Sequence, residues 1–250
     1  MTTPITWHIG CSGFHYKEWK ETFYPKGVPQ RKWFEYYATR FDTLELNVTF
    51  YRFPQVSFLE NWYQKSPEHF SFSVKAPRLI THYKKFNDTQ QQLDDFYATI
   101  REGLKEKLGP VLFQFPPQVK YEEALLQRVI EQLDNTFTNV LEFRDASWWR
   151  QDVYNLLAKH KTVFCGQSYP RLPDEAIVNT PVTYYRFHGV PKLYYSEYPT
   201  TFLDRISQEI QAQPAVKTAW LYFNNTAALA AIHNAAYLRN KLIPAPKASG

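Results

Sequence analysis

Glu45 and Asn47 share parity in the run Thr43-Leu-Glu-Leu-Asn-Val-Thr-Phe-Tyr-Arg-Phe-Pro54, opposite Leu44, Leu46 and Val48. In an extended strand alternate side chains point to opposite faces, so the two polar groups project together. The same pattern recurs along the chain. Ser12 ends the run Trp7–Ser12, Lys75 closes Phe70–Lys75, and Gln114 lies at the end of Val111–Phe115. Glu142 and Arg144 share a face of Asn139–Arg144, Arg186 and His188 end the run from Val182, and Asn224 follows Thr218–Phe223. A charged group on an apolar strand is costly unless it is paired or used. Its repetition near the end of so many strands points to one common polar centre.

The charges of that centre narrow its chemistry. Glu45 and Glu142 contribute −2 and Lys75, Arg144 and Arg186 contribute +3, a sum of +1 before His188 is counted. A divalent-metal site draws on an excess of carboxylates and histidines, so neither a metal nor another cofactor is expected. A glycosidase needs one carboxyl held protonated, whereas neighbouring arginines favour the ionised form. A small anion, phosphate or carboxylate on a sugar-like frame, suits the balance best. In this reading Glu45 or Glu142 is the general base or acid and His188 a second proton carrier. Lys75, Arg144 and Arg186 hold the anion, and Ser12, Asn47, Gln114, Asn224 and Asn225 supply further polar contacts. Tyr16, Tyr51, Trp148 and Tyr195, with Trp19 and Tyr194, follow strand ends and could wall the pocket. The same charges also permit a purely structural reading, with buried ion pairs such as Glu45–Arg144 or Glu142–Lys75. Asn225 and Thr226 could equally cap the last helix.

Positioning such a ring requires strands whose ends converge. The seven runs named above, with a short eighth at Thr162–Cys165, are separated by stretches of helical periodicity: 31–41, 56–64, about 93–104, 125–133, 150–160, 202–210 and about 227–242. Pro244 and Pro246 follow the last of them. The segment from Ser168 to Pro181 carries three prolines and little helical pattern, so an irregular or missing sixth helix is expected there. Strict alternation implies parallel strands with right-handed crossovers, and this number of units in 250 residues predicts a TIM-type (β/α)8 barrel of class α/β, one domain spanning 1–250. Barrels of this type place their sites at the C-terminal ends of the strands, where the polar residues lie. Anions often bind there between the loops after strands seven and eight, at Arg186-Phe-His-Gly189 and Asn224-Asn225-Thr226. No glycine-rich phosphate loop follows any strand, which disfavours the open-sheet nucleotide binders.

Composition agrees with a folded, aromatic-rich domain: 44% of residues are hydrophobic and 18% aromatic. The formal charge is +5 without any long basic run, so nucleic acid is a possible partner but not the favoured one. The two cysteines, Cys11 and Cys165, exclude a disulfide scaffold. No apolar run approaches membrane-spanning length, so no membrane partner is expected. The N-terminal residues have no signal-peptide pattern, and a cytoplasmic location follows as the expectation. Nothing in the pattern specifies an oligomeric state.

The ordered motifs resemble those of the YecE-like proteins, a domain of unknown function. They are Gly10-Cys-Ser-Gly13 with Tyr16 and Trp19, Phe23-Tyr-Pro25, Glu45-Leu-Asn-Val-Thr-Phe-Tyr51, Lys75, Thr81-His82 and Gln114-Phe-Pro-Pro117. Glu142-Phe-Arg144 with Ser147-Trp148, Arg186-Phe-His-Gly189 and Tyr222-Phe-Asn-Asn225 with Asn234-Ala235 continue the series nearly to the end of the chain. The resemblance implies a TIM-type barrel and implies no reaction. Three positions depart from it: Phe14 stands where Trp is usual, Asp145 where His is common, and Cys165-Gly-Gln-Ser168 where many members carry an Asp.

Three functions compete on this reading. The first is an enzyme acting on a small anionic substrate. The second is a nucleic-acid binder or barrel nuclease whose aromatic loops stack on bases. The third is a non-catalytic sensor using the same pocket.

Overall fold

Eight strands form because apolar residues alternate against small or polar ones, and each strand is then buried on both faces. In the computed structural model, which describes residues 4–243, they are β1 (Thr6–Ser12), β2 (Thr43–Leu46), β3 (Ser71–Lys75), β4 (Leu108–Gln114), β5 (Asn139–Glu142), β6 (Val163–Ser168), β7 (Val182–Phe187) and β8 (Thr218–Phe223). All neighbours pair in parallel, and β8 returns to β1, closing the barrel in chain order. The expected TIM-type α/β barrel is the fold found. Met1–Thr3 and the prolines after residue 243 lie outside the described residues.

Around the barrel run α1 (Trp33–Ala38), the single turn α2 (Val48–Tyr51), α3 (Val56–Lys65), α4 (Gln90–Leu104), α5 (Glu123–Gln132), α6 (Gln151–Lys159), α7 (Thr200–Gln211) and α8 (Ala230–Leu242). Each longer helix turns an apolar stripe inward. In α4 that stripe is Leu93, Phe96, Tyr97, Ile100 and Leu104. Gly103 lets α4 approach α3 closely, since a Cβ there would sit 2.5 Å from that of Leu59.

Two apolar layers result, one on each side of the sheet. The larger lies between strands and helices and holds Leu44, Leu46, Phe72, Val74, Phe113, Phe143 and Phe223. A smaller one, with Leu112, Val140, Val163, Cys165, Tyr184, Trp220 and Tyr222, fills the barrel from within. The barrel is therefore packed rather than hollow.

No helix forms between β6 and β7, as the prolines there imply. The irregular segment is instead pinned by side chains. Asn179 accepts from the Phe164 amide (2.9 Å) and donates to the Thr162 carbonyl (2.9 Å), while the Tyr185 hydroxyl donates to the carbonyl of Asp174 (2.6 Å). The first two bonds tie the segment to the backbone at the start of β6, and the third satisfies a carbonyl that a helix would have satisfied internally.

One expectation fails at β2. The strand stops at Leu46, and Asn47 turns into the helical region (φ −98°, ψ −13°) to start α2. Val48 thus leaves the strand and is 43% exposed. Thr49 fixes this turn: its hydroxyl reaches the carbonyls of Leu46 (3.1 Å) and Lys75 (2.6 Å).

Candidate active site at the barrel mouth

Strand register brings the polar residues to one level. Ser12 pairs with Glu45, Gln114 with Glu142, and Gln167 with Arg186. Arg186, on β7, spans the barrel between two strands that are not its neighbours. Its Nη2 meets Oε1 of Glu45 at 2.6 Å and its Nη1 meets Oε2 of Glu142 at 2.6 Å. Glu45 accepts a second bond from the Tyr184 hydroxyl (2.6 Å). Glu142 is also met by Nε of Arg144 (2.9 Å), and Nε2 of His188 lies 3.2 Å from the same oxygen. All four carboxylate oxygens thus have close partners.

The pairs named for a purely structural reading, Glu45–Arg144 and Glu142–Lys75, do not form; Arg186 bridges both glutamates and Arg144 meets Glu142. Parity places side chains on a face; which of them meet depends on strand neighbours and side-chain length. Beneath the charged level lies a hydroxyl layer, with Tyr184 to Ser73 (2.8 Å) and Tyr222 to Thr43 (2.6 Å). Below that, His8 stacks on Trp220 with ring centres 3.7 Å apart.

Electrostatics follow from this geometry. Burial opposes ionisation of Glu142, but Arg186 and Arg144 outweigh it and hold its carboxyl well below the usual range. Glu45 is likewise lowered, with burial overcome by Arg186 and the Tyr184 hydroxyl. Both are carboxylates at neutral pH. His188 is fully buried, which pushes its imidazole down to about 3, so it is neutral. Asn224 Nδ2 lies 3.0 Å from His188 Nδ1, and an amide donating there leaves the imidazole proton on Nε2, toward Glu142. The contact with Glu142 is off-line and forms no regular hydrogen bond.

Above this floor opens a cavity of about 380 Å³. Arg186 and Lys75 reach it from β7 and β3, Gln114 from β4, and Arg144 and Asn224 from just past the ends of β5 and β8. Tyr16, Asn47 and Tyr51 wall it toward β1 and β2. Glu45, Glu142 and His188, expected to face substrate, lie beneath this wall, fully covered by their partners. Ser12 is also buried and instead accepts, through its carbonyl, the Tyr16 hydroxyl (2.6 Å).

Lys75 differs from the other cations. Its Nζ donates to Oε1 of Gln114 (2.8 Å) and lies 4.1 Å from the centre of the Phe50 ring. Burial, reinforced by Arg186 and Arg144, pushes its ammonium down to about 7. Arg144 spends only Nε on protein, and its guanidinium lies 4.7 Å over the ring of Tyr169. Its terminal nitrogens have no hydrogen-bond partner among the described residues yet are not sealed in, so they open on the cavity.

Three expected wall or contact residues lie elsewhere. Trp148 is fully buried in the strand–helix layer, stacked 3.8 Å from Phe143 with its indole donating to Val119 (2.9 Å). Asn225 is buried and ties Ser196 (2.9 Å) to Asn234 (3.0 Å); α8 begins only at Ala230, so neither Asn225 nor Thr226 caps it. Tyr195 is 51% exposed, covered on one face by Lys192. The loops after β7 and β8 accordingly pack together instead of opening a phosphate cradle. Gly189 (φ +79°) makes this closeness possible, since a Cβ there would lie 2.9 Å from that of Asn225.

Cavity residues absent from the sequence expectation are His82, Phe50 and Pro117, while Tyr194 was expected only as wall. His82 sits on a π-helical turn, Leu79–Tyr83, and burial lowers its imidazole to about 4. Thr81-His82 stood out as a motif, the only signal for it. A second cavity of about 680 Å³ adjoins the first through Tyr16, Asn47 and Tyr51, with Phe14, Phe34 and Trp62 as its apolar wall.

Among the described residues, no group of three or more histidine, cysteine or acidic side chains is placed to hold a metal ion. Cys11 and Cys165 are free and buried. No described helix is long and apolar enough to cross a membrane.

A closed eight-stranded parallel barrel with a cationic, aromatic mouth at its C-terminal face defines the general class of protein. The chain belongs to the DUF72 family, proteins of unknown function, whose family model matches residues 8–249. It is 30% identical over 154 residues to the UPF0759 protein YunF of Bacillus subtilis (strain 168), a match covering 59% of this chain and 54% of that protein. The match thus spans about half the length of that relative. A crystal structure of a DUF72 family protein from Thermotoga maritima MSB8 superposes with a TM-score of 0.86 at 26% identity, covering 95% of this chain and 99% of that one. Another, from Enterococcus faecalis V583, gives 0.82 at 18% identity, covering 96% and 97%, a likeness of fold.

Proposed function

We propose that this protein is an enzyme that binds a small anionic substrate, phosphorylated or carboxylated and sugar-like, at the C-terminal mouth of the barrel. The observation that supports this most is the direction of the uncommitted donors. The terminal nitrogens of Arg144 and the Nζ of Lys75 face one cavity, while both glutamates are already occupied. Glu45 and Glu142 act as positioning residues: they fix Arg186 and Arg144, whose charge meets the substrate. Asn47, Gln114, Asn224 and Tyr16 offer contacts for hydroxyls, and Tyr51 a stacking wall. His188, neutral and buried, packs beside Glu142.

The charge count changes with this geometry. Glu45 and Glu142 balance Arg144 and Arg186, so the net positive charge of the mouth rests on Lys75, whose ammonium titrates near 7. Anion binding therefore favours the protonated amine and strengthens as pH falls through that value. Thermal unfolding in sulfate, whose charge is constant across the range, tests the reading. The stabilisation should be larger at pH 6 than at pH 9 and should shrink in Arg144→Ala relative to that variant's own baseline. Sulfate also stabilises proteins generally by exclusion from their surfaces. A shift that is equal at both pH values and undiminished in the variant would sink the proposal.

A second reading has one observation in its favour. Arg78 lies over the rings of both Tyr51 (5.7 Å) and Tyr83 (5.3 Å), and these tyrosines are 69% and 64% exposed. Such a platform suits stacking of single-stranded nucleic acid. Oligonucleotide affinity that falls steeply with salt and is lost in Tyr51→Ala would promote it.

A further inference from the structure

We propose that Lys75 is a nucleophilic amine that forms a Schiff base with the carbonyl carbon of its substrate, a small aldehyde or ketone carrying a phosphate or carboxylate. This deepens the anionic-substrate reading above and rests on it for the substrate's charge. The argument begins from a comparison within the molecule. Lys107 is a second buried lysine, and its Nζ donates to three oxygens: the carbonyls of Tyr63 (2.7 Å) and Ser66 (2.8 Å) and the Ser66 hydroxyl (2.9 Å). That is how an ammonium is held for structure, with all three protons placed. Lys75 is as well covered, at 8% exposure, yet has one hydrogen-bond partner, the uncharged Gln114 amide oxygen at 2.8 Å. It forms no salt bridge with Glu45 or Glu142, both of which are engaged by arginines. Its amine lines the mouth cavity beside Arg144.

These surroundings suit an amine that must be neutral to react. Desolvation and neighbouring guanidinium groups disfavour the ammonium, which is how proteins activate lysine for carbonyl chemistry. The Phe50 ring at 4.1 Å then offers a face to the cation that reappears in the product. In the step itself the neutral nitrogen adds to the carbonyl carbon, and the carbonyl π pair moves onto oxygen. That oxygen takes up the proton released by nitrogen, through solvent in the open mouth, giving a carbinolamine. A second proton from solvent carries the hydroxyl away as water, leaving a protonated C=N bond. Hydrolysis reverses the sequence, so no oxidant or reductant is consumed. Arg144 sits where it can hold the anionic end of the same molecule.

The test is reductive trapping of the whole native protein. Dihydroxyacetone phosphate or pyruvate is added with sodium cyanoborohydride at pH 7, and adducts are mapped by peptide mass spectrometry. One adduct on the Lys75 peptide, on the order of tenfold above any other lysine and absent in Lys75→Arg, is expected. Adducts spread over exposed lysines, or none on Lys75, would overturn the assignment. Because Lys75→Arg could misfold, competitive acetic anhydride labelling of the unaltered protein gives a second readout. Lys75 should gain reactivity near pH 7, well before the other lysines, and reactivity that rises only with theirs would overturn the assignment too. Sulfate separates the two readings. If Lys75 is trapped but sulfate gives no protection, the Schiff base stands and the anionic substrate fails. If sulfate stabilises the protein and Lys75 is not trapped, the reverse holds.

Discussion

Lys75 and Gln114 face each other across β3 and β4 as an ammonium and a neutral amide, 2.8 Å apart, in a site whose two carboxylates both belong to arginines. Covering a charge so sparsely costs stability. The sign of the pH dependence follows. Burial lowers the Lys75 ammonium from 10.5 to about 7, so between those values the unfolded chain holds a proton that the native chain does not. The penalty is fully present below pH 7 and disappears as pH rises past 10.5. Lys75→Met should therefore stabilise the protein below pH 7, by an amount on the order of 1–3 kcal/mol after the orphaned Gln114 oxygen is allowed for. The gain should shrink toward pH 10. Urea unfolding at pH 6 and pH 10 checks this, and a variant less stable than the parent at pH 6 would contradict it.

Arg186 should behave in the opposite way. Removing it strands the fully buried Glu45 carboxylate and leaves Glu142 with Arg144 alone, so Arg186→Met is expected to cost about 3–5 kcal/mol. Neutralising both partners as well, in Glu45→Gln/Glu142→Gln/Arg186→Met, should recover much of that loss, because the cost lies in unpaired charge. Denaturant midpoints of the single and triple variants measure the difference. A triple variant no more stable than the single one would show that packing around Arg186 matters more than its charge.

Trp148 offers a control on the placement of the site. It stacks on Phe143 in the strand–helix layer, away from the mouth. Trp148→Ala should cost roughly 3–5 kcal/mol as a cavity-forming change. The sulfate-induced shift, measured against the variant's own baseline, should be preserved. Loss of that shift with native circular dichroism retained would place Trp148 in the binding wall.

The barrel was legible in the sequence because alternation and helical periodicity are local properties, and the prolines between Ser168 and Pro181 marked the missing helix equally locally. The inward turn of Glu45, Lys75, Gln114, Glu142 and Arg186 was legible for the same reason. Their partners were not, since Arg186 meets Glu45 and Glu142 only when β2, β5 and β7 are brought round the ring. Parity also fails at the first residue that leaves a strand. Asn47 shows this where β2 gives way to α2, and Trp148 and Asn225 show it in loops that fold back into packing. His82 lies on a π-helical turn, a form with no simple periodic signature.

Arg186 reaches back 141 residues to Glu45 and 44 to Glu142, drawing on three strands laid down far apart in the chain. Contacts of such span form late, after the cost of closing long loops has been met. Until β7 docks, an assembling chain that has joined β2 to β5 has Arg144 beside Glu142 but no countercharge for Glu45, whose partners Arg186 and Tyr184 both lie on β7. The contacts that shape the mouth are thus also contacts of ring closure: Arg186 meets Glu45 and Glu142 only where β2, β5 and β7 stand round one barrel.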